Sequence, residues 1–421
     1  MADKKITVMT ISDHPLLPSG VGTQTKYIIE GLLRTGKFRV ISLGGAIDHP
    51  NYEPTTTAEW GEDWVIFPVK GYGNQQQLRQ FLLQFKPDIL YFMTDPRFYE
   101  WLWHMEDEIR TNVPMVYYHV WDNYPYPEFN KKFYDSNDKV VAISKVTSDI
   151  VKTVAPEVDE QYIPHAVDTN IFKKFVSTED LDRVQAIKRQ FNMDGKTVFF
   201  WNNRNARRKQ SGSLVWWFKE FLDIVGHDKA VLLMHTELND PHGQPLNFLA
   251  EKVGMTDGQV QFSVEKVSPA DLAVLYNLAD VTVNIADAEG FGLATLESLA
   301  CETPIIVTMT GGLQEQVTDG ENWFGVGIEP SSKAVIGSQT VPYIYEDRVS
   351  KEDVINAMVK LHEMTPRERS ALGKEGRGHI EKNYRFETYQ KSWVKCMLDL
   401  HKKSGSWKTR KNYTKWSFRE L

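Results

Sequence analysis

The sequence predicts an α/β protein built from two halves in which strands and helices alternate around mostly parallel sheets. Three observations carry this. Short runs rich in β-branched and aromatic residues, such as Ile6-Thr-Val-Met-Thr-Ile-Ser12, Met115-Val-Tyr-Tyr-His119 and Ala230-Val-Leu-Leu-Met-His235, alternate with longer stretches of helical periodicity. In the stretch around Asp287, Val281, Val283 and Ile285 alternate before a Gly-bearing turn, and Ile305-Ile306-Val307 follows Pro304 after one short helix. Strand, helix and strand in that order make a βαβ unit, whose two strands run parallel. The 421 residues leave room for two or three domains, and the polar, charged run over residues 177–190 reads as a solvated helix and linker between two.

Composition narrows the class. Hydrophobic content of 41% and charged content of 25% are those of an ordinary globular protein. A net charge of −7 argues against a protein that coats nucleic acid nonspecifically. Cys301 and Cys396 are the only cysteines, too few for a disulfide framework or a Cys-based zinc site, which fits a reducing compartment. Met1-Ala-Asp-Lys-Lys leads into a strand rather than a signal-peptide apolar region. No run approaches the roughly 20 apolar residues that span a bilayer. The expectation is a soluble cytoplasmic protein, at most peripheral to a membrane.

In the first half, Ile6–Ser12 is the first strand, and Pro18-Ser-Gly-Val-Gly22 turns the chain into a helix with Tyr27, Ile28, Leu32 and Leu33 inside. Gly20 and Gly22 open like a dinucleotide fingerprint, but Thr25 occupies the third Gly position, so a close approach to substrate and a plain structural turn stand level. Further strands are expected over residues 39–43, 64–67, 87–93, 115–119 and 139–144, with a helix over 75–85. His119 ends one of these strands. A lone His there is more often structural, but the carboxyl edge of a parallel strand is where ligands bind in this fold class. The aromatic, Pro-stiffened segment Tyr124-Pro-Tyr-Pro-Glu-Phe129 either stacks on a substrate or packs against its own domain.

The second half opens with Thr197-Val-Phe-Phe-Trp-Asn-Asn203, a strand that stops at the basic cluster Arg204, Arg207, Arg208 and Lys209. As a charge run alone this is a solvated loop. Strands over 230–235 and 260–263 follow, then a helix with Ser268 as N-cap and Pro269 at its first position. The stretch after Asp287 holds Glu289-Gly290-Phe291-Gly292 at a strand end, and Leu293, Leu296 and Ala300 form one buried helical stripe. Glu297 falls on that stripe at i+4. A carboxylate facing inward is costly unless something polar meets it. Either Glu297 sits at the stripe's edge and reaches water, or the helix N-terminus presents N–H groups to a phosphate while Glu297 accepts from a sugar hydroxyl and Glu289 faces the same ligand. An irregular insert is expected over 331–345, then helices over 350–364, 366–381 and 386–400. Residues 401–421 mix Lys402, Lys403, Lys408, Arg410, Lys411, Lys415 and Arg419 with Trp407, Tyr413, Trp416 and Phe418. That mixture suits a polyanion or an anionic membrane surface, or docking on the acidic body of the protein.

Glu289 and Glu297, with seven residues between them, followed by Ala300-Cys-x-Thr-Pro304 and Gly311-Gly-Leu-x-Glu315, resemble the donor-site signature of retaining GT-B glycosyltransferases of the family 4 type. One departure is Glu302, where the family usually has Gly. The resemblance implies two Rossmann-like domains facing a central cleft: residues 1–180 on the acceptor side and 190–385 on the donor side. A helix over 386–400 would cross back to the first domain, and 401–421 would form a basic aromatic tail. It implies transfer of a sugar from a nucleotide-diphosphate sugar to an acceptor hydroxyl, on a glycan, a lipid-linked sugar or a hydroxylated nucleic-acid base.

The family places an Arg and, five positions on, a Lys against the diphosphate, which Arg204 and Lys209 match. It implies Glu297 on the nucleotide ribose, Glu289 on the donor sugar, and the Gly290, Phe291 and Gly292 backbone on sugar and phosphate. His119 would contact the donor from the first domain, and the loop with Gly20 and Gly22 would line the donor. Residues 264–267 would give backbone contacts to the base. No cofactor and no metal is expected, since no Asp-x-Asp motif occurs at a suitable strand end and fixed cations can stabilise the leaving group. An isomerase or phosphorylase on the same scaffold, or a noncatalytic nucleotide-sugar binder, are the competing functions.

Overall fold

The computed structural model describes residues 4–417. Phe418 and Arg419 of the basic tail, and the Met1-Ala-Asp start, lie outside the described residues. The chain divides into two compact units. One takes the chain up to Trp121, then Tyr126–His165 and everything from Phe386 on; the other takes Asp122–Pro125 and Ala166–Arg385. The charged helix Thr178–Gln190, read from sequence as the linker, therefore lies inside the second unit. Residues 166–180, expected with the first domain, do too.

The first unit is organised on an eight-stranded sheet. Its strands are β1 (Ile6–Asp13), β2 (Phe38–Gly45), β3 (Thr55–Thr56), β4 (Trp64–Pro68), β5 (Ile89–Thr94), β6 (Met115–His119), β7 (Lys139–Ala142) and β8 (Glu160–Tyr162). The order is β3-β4-β2-β1-β5-β6-β7-β8, parallel throughout except for the two-residue β3. Leaving that edge strand aside, the order runs outward both ways from β1, the doubly wound arrangement. Strands buried on both faces explain the near-continuous apolar runs read from the sequence. The helix Gly20–Leu33 starts with Ser19 as N-cap, whose hydroxyl accepts from the Gly22 amide at 2.9 Å and donates to Asp13 at 2.7 Å. A Cβ on Gly22 would stand 2.7 Å from the His14 carbonyl oxygen, so packing within the turn by itself demands glycine there.

The last helix, Phe386–Ser404, belongs to this first unit and lies against Gly20–Leu33. Gln390 Nε2 donates to the Tyr27 carbonyl at 2.9 Å, and a side chain at Gly31 would collide with Gln390. The tail beyond it docks on the unit's acidic groups. Arg410 donates to Asp138 at 2.6 Å with both side chains nearly buried, and the Tyr413 hydroxyl and Trp416 amide donate to Asp107 at 2.7 and 2.9 Å. The Trp416 ring itself is 73% exposed.

The second unit carries β9 (Thr197–Asn202), β10 (Ala230–His235), β11 (Val260–Ser263), β12 (Val281–Asn284), β13 (Ile305–Thr308) and β14 (Gly325–Ile328). All are parallel in the order β11-β10-β9-β12-β13-β14. Counted within the unit this is 3-2-1-4-5-6, the order of a dinucleotide-binding sheet. On one face Phe199, Trp201, Phe218, Phe221 and Leu222 are fully buried, joining the sheet to helix Ser211–Val225; each such side chain contributes on the order of 2 kcal/mol.

Two elements differ from the sequence reading. Strand β14 has no counterpart there; it carries two glycines, and Gly325 is required by close approach: a Cβ there would lie 1.9 Å from the Ile305 carbonyl oxygen of β13. The expected irregular insert is an antiparallel hairpin, β15 (Ser332–Ile336) with β16 (Ile344–Arg348), whose mixed polar and apolar residues give no clean alternation. Glu302, at the family's Gly position, adopts φ +61°, the left-handed conformation that glycine takes without strain. Among the described residues, no helix is long and apolar enough to cross a membrane.

Candidate functional site

In the second unit the strand order reverses between β9 and β12, which pair through Val281 with Phe199 and Thr282 with Phe200. Open parallel sheets bind ligands outside the carboxyl ends of their strands at such a point. There β9 releases the basic loop over 203–210, and β12 releases the loop over 285–292. The two loops are tied by their backbones. The Asp287 amide donates to the Arg208 carbonyl at 2.8 Å, and Arg208 Nη1 donates to the Ala288 carbonyl at 2.5 Å.

Between them Lys209 forms an ion pair with Glu289, and both side chains are about nine-tenths buried. Asn284 at the end of β12 donates to the same Glu289 oxygen at 3.3 Å. Burial acts against both charges. For Glu289 the push upward is outweighed by Lys209 and Arg208, so the carboxyl is held below its ordinary range. For Lys209 burial, joined by repulsion from Arg208, outweighs Glu289 and Asp122 and lowers the ammonium from its ordinary value. The site is thus a buried Lys209–Glu289 pair with the exposed Arg208 beside it, pressing a second positive charge on the carboxylate.

The turn that positions Glu289 rests on a second Gly pair. Gly311 has φ +47°, and a Cβ on it would lie 1.7 Å from the Glu289 carbonyl oxygen, which accepts from the Gly312 amide at 3.1 Å. Gly292, at φ +92°, opens the helix Leu293–Ala300, and Gln316 locks the turn by donating to the Phe291 carbonyl at 2.6 Å and accepting from Thr295 at 2.8 Å. Gly311→Ala therefore combines a disfavoured backbone conformation with a clash against backbone, and is expected to cost about 3 kcal/mol in urea unfolding. A loss below about 1 kcal/mol would show that the turn relaxes and does not fix Glu289.

Glu297 lies on the same helix, partly exposed, with Leu296, Leu299 and Ala300 buried around it. One carboxylate oxygen accepts from the Tyr276 hydroxyl at 2.8 Å, and that hydroxyl accepts from Asn202 at 2.9 Å. The other oxygen has no hydrogen-bond partner among the described residues. Burial pushes the carboxyl up to about 7 against the bond from Tyr276.

The remaining basic residues take separate partners. Arg204 binds Asp240 through two nitrogens, at 2.6 and 3.2 Å, and lies 2.9 Å from His242 Nδ1. Its side chain keeps 63% of its exposure. Arg207 is held bidentately by Glu346 of β16, which also accepts from Arg348 at 2.6 Å. Asp287 accepts from Gln210 at 2.7 Å, and burial pushes its carboxyl up to about 6. The hairpin also fastens the aromatic segment after β6: Tyr345 donates its amide to the Tyr124 carbonyl at 2.5 Å and accepts from Asn123 at 2.7 Å. Sequence reasoning placed Arg208 in the basic cluster without a role of its own and missed Asn284 and Glu346. Asn284 was findable as the last residue of a strand at a ligand-binding edge; Glu346, distant in sequence, gave no signal.

Gly20, Gly22 and His119 lie in the first unit. His119 is fully buried, with Nδ1 3.2 Å from the Tyr117 hydroxyl and Nε2 2.9 Å from the Tyr134 hydroxyl. Burial pushes it down to about 3, so the ring is neutral, and both nitrogens are engaged by tyrosines. A donor contact from His119 requires one of these bonds to open.

Residues 221–357 match the family model described as glycosyl transferases group 1. A D-inositol 3-phosphate glycosyltransferase of Thermomonospora curvata is 39% identical over 92 residues, which span 22% of this chain and 21% of that relative. One from Paenarthrobacter aurescens is 34% identical over 110 residues, 26% of each chain. The matched stretches thus span only a fifth to a quarter of these curated relatives. Solved structures extend the likeness to the whole fold. Sucrose-phosphate synthase from Thermosynechococcus elongatus superposes with a TM-score of 0.74 at 16% identity, over 95% of this chain and 100% of that one. Anabaena HepE, solved in complex with UDP and glucose, gives 0.68 at 13% identity, over 94% of this chain and 100% of its own. The chain has the GT-B fold, and within it residues 221–357 match the group 1 glycosyl transferase family.

Proposed function

We propose that this protein transfers a sugar from a nucleotide-diphosphate-sugar donor to an acceptor hydroxyl, with retention of anomeric configuration. The observation that carries this reading is the buried Lys209–Glu289 pair at the switch point of the second sheet, set beside a Gly-built turn. As the bond from the anomeric carbon to the diphosphate oxygen breaks, its electron pair leaves on the diphosphate. Lys209, buried against Glu289, and the exposed Arg208, fixed by its bond to the Ala288 carbonyl, stabilise that charge with little reorganisation. Arg204, oriented by Asp240 but still exposed, supplies a further cation to the diphosphate. Glu289 holds donor-sugar hydroxyls, the Gly290–Gly292 backbone binds sugar and phosphate, and the open oxygen of Glu297 accepts from the nucleotide ribose. His119 enters as a donor contact by exchanging a tyrosine bond for one to the ligand. The acceptor oxygen forms the new bond on the face the diphosphate leaves, and its proton passes to the diphosphate.

This charge set lets the reaction run with no metal, so turnover is expected to persist in a chelator. The acceptor classes are a glycan, a lipid-linked sugar or a hydroxylated nucleic-acid base. UDP-glucose is the first donor to try, given the ligands of HepE. The test is thermal stability across UDP-, GDP-, ADP- and CMP-sugars, with Glu297→Ala as control, followed by assay of the released nucleotide diphosphate. A ligand at about 100 times its dissociation constant adds roughly 2.7 kcal/mol to the native protein. Stabilisation by one nucleotide class, lost in the variant, is the expected result. No shift with any donor and no diphosphate release from a folded sample would overturn the reading.

A further inference from the structure

We propose a second anion site, in the first unit, that binds a phosphorylated group in a lysine-lined cavity roofed by the docked tail. The hollow is open to solvent and holds about 790 Å³, within the range of small-ligand sites. It opens at the amino ends of β1 and β5, where Ile6 begins one strand and Asp88 precedes the other. That is the opposite edge of the sheet from the carboxyl ends that take substrates in this fold class. It is therefore separate from the proposed donor and acceptor chemistry and does not rest on it.

Lys4, Lys5, Lys86 and Lys408 line this cavity. Lys5 is paired with Asp63 at 2.5 Å, but the other three have no acidic partner among the described residues. The one acid in the lining, Asp88, has both oxygens taken, by the Thr7 amide at 2.9 Å and the Ser406 hydroxyl at 2.6 Å. His401 adds a buried Nδ1 with no hydrogen-bond partner. In a chain of net charge −7, three exposed ammonium groups with no acidic partner among the described residues form, on one cavity, a local attractor for a multiply charged anion.

The backbone points the same way. Trp407, at φ +50°, is a non-glycine residue in the left-handed region that lines the cavity; Lys86, also in the lining, is the left-handed C-cap that ends the helix Gln75–Phe85 and needs no other cause. Strain of this kind persists only where surroundings impose it. Trp407 is imposed by its amide donating to the Asn112 carbonyl at 2.6 Å and its indole to the Pro87 carbonyl at 2.9 Å. The tail is thus bolted in a costly conformation that bounds a basic hollow. A phosphate monoester or diphosphate, with more than one negative charge, matches three cations better than a single carboxylate does.

The phosphate can belong to a soluble molecule or to a lipid headgroup, and the experiment separates them. Calorimetric titration of the full chain with inorganic pyrophosphate at low salt is compared with Lys86→Glu/Lys408→Glu. In parallel, both proteins are sedimented with vesicles of phosphatidylcholine alone and of phosphatidylcholine with phosphatidic acid. The charge reversal is expected to weaken binding by about thirtyfold. Pyrophosphate binding lost in the variant assigns a soluble ligand; phosphatidic-acid sedimentation lost in the variant assigns a lipid. If the milder Lys86→Gln/Lys408→Gln protein and the charge-reversed one bind both probes as the native chain does, or if the native chain binds neither, the proposal is wrong. Because neither readout involves glycosyl transfer, the outcome is independent of the proposed function.

Discussion

Lys209→Met is expected to destabilise the second unit by about 3–5 kcal/mol, the cost of leaving a buried carboxylate without its partner. Glu289 remains inside the site, with Arg208 and the Asn284 amide as its other support among the described residues. Glu289→Gln on that background removes the stranded charge, so most of the lost stability should return in the double variant. Activity should not return. If Lys209 stabilises the leaving diphosphate, its loss lowers kcat by about 10²–10³, as does loss of other fixed transition-state donors, whatever stands at position 289. Urea unfolding and diphosphate release measured on the two single variants and the double variant complete the cycle. A double variant that regained both stability and activity would make the pair a scaffold only, and the proposed chemistry would lose its main support.

The cycle also bears on what the sequence could and could not reveal. The parallel character of both sheets follows from apolar runs and βα alternation, which are local signals; their doubly wound order is implied only by the family resemblance. The glutamate pair is a local signal too, because Glu289 and Glu297 sit on one turn and one helix. The partners that set their charges are not local. Lys209 reaches Glu289 only because β9 and β12 are adjacent in the sheet, and Glu346 reaches Arg207 from a hairpin whose residues show no periodicity. The family resemblance implies one joint task for Arg204 and Lys209; in the structure Arg204 is held by Asp240 and Lys209 by Glu289, while Arg208 bonds the Ala288 carbonyl beside Glu289. Spacing along a loop does not report which side chain each neighbour captures. His119 shows the same limit: its strand-end position is legible, but the two tyrosine hydroxyls on its ring are placed by β6 and by Tyr134, fifteen residues on.

Donor affinity is expected to rise about tenfold between pH 6 and pH 8, with Glu297 as the titrating group. Burial holds this carboxyl at about 7, above the ordinary value of about 4.3. The sign follows from which form the ligand needs. Ribose hydroxyls donate to an ionised carboxylate, so binding favours the charged form and releases a proton wherever the free protein still carries one. Affinity therefore falls as pH drops through 7 and levels off above it. Folding has the opposite dependence for this group: the folded state keeps a proton that the unfolded chain loses, so stability from Glu297 falls as pH rises from about 4.3 to 7 and is constant beyond. Nucleotide-sugar titrations across this range, on the native chain and on Glu297→Gln, separate the contributions. The diphosphate of an intact nucleotide sugar has no terminal phosphate to titrate in this window, and His119, near 3, is neutral throughout it. Asp287, pushed up to about 6, titrates lower and remains in the variant. An unchanged dependence in Glu297→Gln would remove the ribose from Glu297 and assign the proton to Asp287, moving the pH-sensitive contact from the helix to the loop that precedes it.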